Sequence, residues 1–300
     1  MPRTPGGLLT LAEQGPPSPH LRRALRWLVG TLVVVLAVAG WLGWREMSDR
    51  LLTPTCVASV GTLHVELSPE QAANAAVISA VARRRGLPTH AATIAIATAM
   101  QESKLRNLRY GDRDSLGLFQ QRPSQGWGTP EQILDPVYAS GEFYERLVTV
   151  RDYLTRPVTD VAQAVQRSAA PQAYAQHEDE ARVLAATFVG EAPAALTCTL
   201  HRVDRPGDPT RLATTLRAHH GVAAEPTGGP DLRVPLDGAD ASRHAWSIAA
   251  WAIAHADAFG IEQVLVGASV WSRADATWSG ASAQPAMTAP VEVRLRLAAS

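Results

Sequence analysis

The 300-residue chain has very little cysteine, no net charge and few aromatic side chains. Its two cysteines, Cys56 and Cys198, are too few and too far apart for a zinc knuckle. No His-x-x-x-His or Cys-x-x-Cys pattern occurs either, so no metal and no other cofactor is expected. The 28 Lys and Arg balance 28 Asp and Glu. That balance leaves no basic footprint, and nucleic acid is not an expected partner. Aromatic residues make up 6% of the chain, but eight of them are Trp. Internal repeats are absent. Against these shortages stands a hydrophobic content of 46%, enough for sizeable cores, in a chain long enough for two small domains plus tails. Alanine is abundant, which leans the chain toward helix.

Charge is missing altogether from Trp27 to Trp44, a run of eighteen residues. That is about the minimum needed to cross a bilayer. Arg22, Arg23 and Arg26 precede it, so the arm 1–26, rich in Pro and Gly, is expected to be disordered and cytoplasmic. Everything beyond the anchor 27–44 then lies outside the membrane. Cleavage as a signal peptide at Ala37-Val38-Ala39 is the alternative, although the apolar run continues past that site. Both cysteines fall on the outer side. In an oxidising compartment they are expected to form one disulfide, with two buried thiols as the alternative.

Residues 45–67 read as a stalk with a first strand, in which Thr62 to Leu67 alternates. Ser68-Pro69-Glu70-Gln71 is a capping box that opens a helix, and Gly86 stops it near Arg85. A second helix opens at Leu87-Pro88-Thr89 and runs through AATIAIATAM to Glu102. It is apolar nearly all round, as a buried central helix would be. A Gly- and Pro-rich loop spans 107–130, and Thr129-Pro130-Glu131-Gln132 is another capping box. Further helices are expected at 130–134, 136–154, 158–168 and 178–189. Residues 68–198 thus form a compact helical domain. Residues 202–241, rich in Pro, Gly and Asp, read as a linker. A small α+β module, 242–300, follows, with a helix over 242–259 and strands over 261–270 and 291–297. The expected fold class is mainly α.

The chemistry concentrates around Glu102, which ends the apolar helix in Met100-Gln101-Glu102-Ser103. Burial disfavours its anion, and the negative end of the helix dipole acts in the same direction. Both keep a proton on the carboxyl, as a glycosidic general acid requires. Lys104, Arg106 and Arg109 would act the other way if they faced it. A surface Glu at a frayed helix end is the alternative.

Glu102-Ser103, followed by Ser115-Leu116-Gly117-Leu118-Phe119-Gln120, resembles the lytic transglycosylase and goose-type lysozyme superfamily. There a helix ends in Glu-Ser, and a later turn reads Ser-x-x-Gly-Leu-Met-Gln or a close variant. Here Phe119 stands in place of the Met. The wider stretch from Gln101 to Pro136 resembles a lysozyme-like domain of membrane-anchored actinobacterial envelope proteins, and the likeness covers about residues 56–198. By that resemblance the domain is all-α and acts on peptidoglycan glycan strands. Glu102 is its general acid/base, Gln120 and the backbone around Gly117 line the glycan groove, and Ser115 orients the loop. The superfamily's downstream Ala-Tyr-Asn-x-Gly segment is replaced by Ala164-Val165-Gln166-Arg167-Ser168 and Ala173-Tyr174-Ala175. Tyr174 is the residue that takes the tyrosine's place, with Gln166 nearby.

Standard glycosidases use two carboxylates. The resemblance implies that one suffices where the muramic acid 6-hydroxyl attacks internally and leaves an anhydro end. Asp112 and Asp114 lie between the two motif halves, either positioning water or pairing locally with Arg109 and Arg113. Trp127 either stacks on a sugar or anchors its loop. The C-terminal module carries no catalytic set and is expected to bind or to scaffold, with Trp271 and Trp278 in core or contact roles. Three functions follow: a wall-cleaving enzyme of transglycosylase or hydrolase type, a non-catalytic wall-binding protein, and a subunit of an envelope assembly with other membrane proteins as partners.

Overall fold

The computed structural model describes residues 19–166, 171–280 and 291–299. The chain divides into two units, Met1–Leu51 and Leu52–Ser300. In the first, helix α1 (Pro19–Leu51) contains the uncharged run. Its stretch Arg26–Trp44 is long and apolar enough to cross a membrane, by length and composition. The helix extends past that run at both ends, into the expected arm (19–26) and the expected stalk (45–51). Adding residues to an existing helix costs far less than nucleating one, which accounts for the extension. Residues 1–18 of the arm lie outside the described residues.

The second unit opens with a hairpin, β1 (Thr55–Val60) and β2 (Leu63–Leu67), turned at Gly61 with φ 60°. Among the described residues six α-helices and a strand follow: α2 (Pro69–Arg84), α3 (Thr89–Ser103), α4 (Pro130–Ile133), α5 (Pro136–Leu147), α6 (Val158–Gln166), α7 (Glu178–Val189) and β3 (Leu196–Thr199), with short 3-10 segments at Pro123–Gln125 and Pro171–His177. Both capping boxes form, with Ser68 paired to Gln71 and Thr129 paired to Gln132. Helix α3 is buried from Ala91 to Ala99 and packs against α2, α5, α6 and α7, as its all-round apolar sequence predicts. The expected helix 136–154 is shorter. After Leu147 the chain passes into turns, which Asp152 helps to make with a φ of 58°. Strand β3 returns to pair antiparallel with β1, giving the sheet order β2-β1-β3. Cys56 stands directly opposite Cys198 in that ladder, and the two form a disulfide. The helical domain is therefore closed at its root by backbone pairing and by a covalent bond.

Residues 202–241 are not a linker. They contain α8 (Pro209–His220), β4 (Glu225–Pro226) and β5 (Asp231–Leu236). Asp208 caps α8 through the Arg211 amide, Pro209 occupies its first turn, and Gly221 ends it at φ 75°. In β5, Leu232, Val234 and Leu236 alternate inward. Strand β4 stops opposite Arg233, so β5 is an edge strand at Pro235, where proline is tolerated. The polar composition of the segment belongs to its outer faces.

The remaining elements are α9 (Ala241–Ala254), α10 (Ala256–Phe259), β6 (Ile261–Val266), β7 (Ser269–Ser272), β8 (Thr277–Ser279) and β9 (Val291–Leu297). The strand expected over 261–270 is a hairpin instead, broken at Gly267 with φ 58°. The second sheet is antiparallel with the order β4-β5-β9-β6-β7-β8. Helix α9 covers one face of it and packs against α2 and α7 as well. Ser247 Oγ donates to the Phe188 carbonyl at 2.6 Å, and Trp278 Nε1 donates to the Leu196 carbonyl at 2.9 Å. Trp271 is buried and bonds Thr197 Oγ1. The expected C-terminal module is thus fused to the helical domain through one continuous core. With about 51% helix, 18% strand and a C-terminal sheet, the described chain bears out the expected mainly α class only in part.

Candidate active site

Glu102 occupies the last turn of α3. The helix ends abruptly because Lys104 and Leu105 both adopt left-handed backbone, with φ 56° and 57°. Their amides bond the carbonyls of Met100 and Ala99, which satisfies two orphan groups of the last turn. This stop leaves Glu102 half-buried.

Two side chains from later in the chain meet it. Tyr174, fully buried in the 3-10 segment Pro171–His177, donates its hydroxyl hydrogen to Glu102 Oε1 at 2.7 Å. Gln166, at the end of α6, also hydrogen-bonds the carboxyl. The 3-10 segment is tied to α3 one residue away, where Gln101 Oε1 lies 3.1 Å from both Gln176 Nε2 and His177 Nε2. Burial raises the Glu102 pKa above the ordinary carboxylate value, and the bonds from Tyr174 and Gln166 oppose that rise without cancelling it. Lys104, Arg106 and Arg109 are exposed and are not among the groups that shift Glu102.

The Glu-Ser pair and the Gly-Leu-Phe-Gln turn are joined by one side chain. Ser103 Oγ is buried and lies 3.0 Å from the Ala99 carbonyl and 2.7 Å from the Leu118 carbonyl. The turn itself is closed by Leu116 and Gln121, which exchange both backbone hydrogen bonds. Gly117 donates to the Leu108 carbonyl at 2.7 Å and has φ 75°. A Cβ there would lie 2.7 Å from the Ile133 carbonyl oxygen, so only glycine fits. Phe119 is buried and stacks on Phe143 with ring centroids 4.7 Å apart. Its carbonyl accepts from Gln166 Nε2 at 2.7 Å. Gln166 therefore bridges the turn and the acid.

Ser115 is buried in the loop, where its amide bonds the Asp112 carbonyl. Gln120 turns its side chain back, and its amide nitrogen is 3.2 Å from the Gly117 carbonyl and 3.4 Å from the Tyr110 carbonyl. These two residues hold the loop, while Tyr174 and Gln166 reach the acid. Asp114 bonds Arg122 at 2.7 Å and the Ser124 amide at 2.8 Å, so its partner is neither Arg109 nor Arg113. Those bonds hold its carboxyl well below the ordinary range. Asp112 is exposed, 3.9 Å from Arg113. Trp127 is buried, and the Arg146 guanidinium lies 3.2 Å from its ring centroid. Trp127 thus anchors its loop, and Arg146 covers one of its faces. Arg167 and Ser168 lie outside the described residues.

The bridging role of Ser103 was implicit in Glu-Ser but not readable from it, because the Leu118 carbonyl carries no side-chain signature. No family model matches the chain, and no curated protein matches it.

Proposed function

We propose that the protein is a membrane-anchored, extracytoplasmic enzyme that cleaves peptidoglycan glycan strands, with Glu102 as general acid/base. One observation carries this reading: a half-buried carboxyl, its pKa raised by burial, is held by the buried Tyr174 hydroxyl and by Gln166. The Glu-Ser and Gly-Leu-Phe-Gln elements, locked together by Ser103, agree with the lysozyme-like resemblance.

Among the described residues, no carboxylate is one of the groups that shift the pKa of Glu102. Asp114 is committed to Arg122 and Ser124. A lone carboxyl favours transglycosylation over hydrolysis. Protonated Glu102 gives its proton to the glycosidic oxygen as the C1–O bond breaks, and the leaving sugar departs as an alcohol. The resulting carboxylate then takes the proton of the muramic acid 6-hydroxyl, whose oxygen bonds to C1. Glu102 ends protonated, no water is consumed, and the product carries a 1,6-anhydro ring.

The anchor is the uncharged run 27–44, within the apolar stretch Arg26–Trp44, with the N-terminus cytoplasmic because Arg22, Arg23 and Arg26 precede that run. The disulfide agrees with an oxidising compartment for the unit that contains Glu102. A second reading, a non-catalytic wall-binding or envelope-assembly protein, draws on Gln120, whose side chain serves its own loop. Incubating the full chain in detergent with purified sacculi separates the two. An enzyme releases soluble glycan and loses that release with Glu102→Gln, whereas a binder sediments with the sacculi and releases nothing.

A further inference from the structure

Strand β2 is an edge. Among the described residues its sheet runs β2-β1-β3, and no strand pairs with β2 on its far side. Residues along an antiparallel pair alternate between exchanging both backbone hydrogen bonds and exchanging none. The Ser59 amide bonds the Ala195 carbonyl at 2.8 Å, so it faces away from β2, and the pair of Ser59 with His64 exchanges none. Glu66, opposite Val57 and two positions on, is in the same phase. His64 and Glu66 therefore direct their N–H and C=O groups outward from the sheet, about 7 Å apart along the strand. Two donors and two acceptors at that spacing are what one more strand needs.

These groups border a cleft of about 400 Å³. It is lined by β2 from His64 to Leu67, and by Met100, Lys104 and Glu180 from the end of α3 and from α7. Gln71 Nε2 donates to the Lys104 carbonyl at 2.9 Å, which ties the start of α2 to the stop of α3. The His64 ring turns back over β1, with Nδ1 2.9 Å from Ser59 Oγ, and leaves the edge uncovered. Native edges are commonly blunted by lysine, proline or a bulge. Strand β2 carries no lysine and no proline, and its register with β1 is unbroken. The exposed charges in the lining are two carboxylates, Glu66 and Glu180, against one ammonium, Lys104.

We infer that this edge binds an extended polypeptide segment of basic character. The segment pairs with β2 through the backbone of His64 and Glu66, and its cationic side chains meet Glu66 and Glu180. The surface is separate from the candidate acid: Met100 is two positions from Glu102, on the opposite side of α3.

The test uses the full chain in detergent micelles and three dye-labelled peptides, read by fluorescence anisotropy. The first is Lys-Val-Thr-Val-Lys with blocked ends. The second is the same peptide N-methylated at its three central amides, and the third has Glu in place of both Lys. The first is expected to bind about ten-fold tighter than either of the others, through its pairing amides and its charge. Glu66→Pro removes an outward N–H without taking a bond from β1, and should weaken the first peptide about ten-fold beyond the effect of Glu66→Gln, which removes the charge alone. Equal binding of the first and second peptides overturns the pairing, and that comparison needs only the native chain. Binding of none of the three, or tighter binding of the acidic one, also overturns the inference. Self-association of the native chain that is lost in Glu66→Pro gives the edge to a second copy and overturns the basic segment as its occupant. Glu102→Gln should bind the first peptide as the native chain does, so the cleft and the catalytic reading stand or fall separately.

Discussion

Tyr174 donates its hydroxyl hydrogen to Glu102 Oε1 at 2.7 Å, across 72 positions of sequence. This bond stabilises the anion, while burial of Glu102 stabilises the acid, and burial wins. Tyr174→Phe keeps the buried ring and removes the bond, so the Glu102 pKa should rise further. A hydrogen bond to a charged group contributes about 1.5–3 kcal/mol, which corresponds to about one pKa unit or more. The alkaline limb of the pH–activity profile should move up by about one unit. A profile of unchanged shape would show that Tyr174 does not act on the proton of Glu102.

Much of this arrangement was legible in the sequence, in proportion to how local its causes are. The capping boxes at Ser68 and Thr129 forecast their helices because each is completed within four residues. Glu102 was readable because an apolar helix ends at it, and Tyr174 because a resemblance supplied an expected partner. The Pro, Gly and Asp of segment 202–241 serve as caps, turns and an edge strand, uses that depend on what packs beside them and that composition does not encode. The joining of the C-terminal module to the helical domain is hidden in the sequence for a similar reason. The apolar face of α9 is shared between its own sheet and α2 and α7, and no local pattern encodes that sharing.

Ser103→Ala should destabilise the chain by about 1–3 kcal/mol, since it leaves the buried Leu118 carbonyl without its side-chain donor. Urea unfolding should show a lower midpoint with an unchanged slope. Activity should fall more than stability does, because the same bond sets the Gly117–Gln120 turn against the end of α3.

The Cys56–Cys198 bridge spans 142 positions and sits in a paired ladder. Replacing both cysteines with alanine should cost about 3–5 kcal/mol, chiefly by releasing the unfolded chain. Unfolding of the double variant, compared with the oxidised native chain, measures this directly. Adding reductant to the native chain should reproduce the loss.

Four histidines gather between α8 and α9. His219 Nδ1 accepts from Trp251 Nε1 at 2.9 Å, His255 stacks on Trp251, and His220 lies 5.7 Å from His244 between ring centroids. Burial, the leading cause for all four, lowers their pKa values from 6.5, to about 4 for His219 and His244, to about 3 for His255, and well down for His220. The unfolded chain therefore binds more protons than the folded one once pH falls below about 6.5. Stability should be full above that value and should drop as pH falls toward 4. Each histidine contributes a slope of up to about 1.4 kcal/mol per pH unit. Thermal unfolding between pH 7.5 and pH 4.5 (about neutral to mildly acid, spanning the unfolded value) should show the midpoint falling, and less steeply after His219→Gln.

The most direct measurement of the central claim is mass analysis of the fragments that the full chain releases from sacculi. Fragments ending in 1,6-anhydromuramic acid, present with the native chain and absent with Glu102→Gln, are the predicted result. Equal, background amounts from the native chain and from Glu102→Gln would contradict the assignment of Glu102 as the general acid/base.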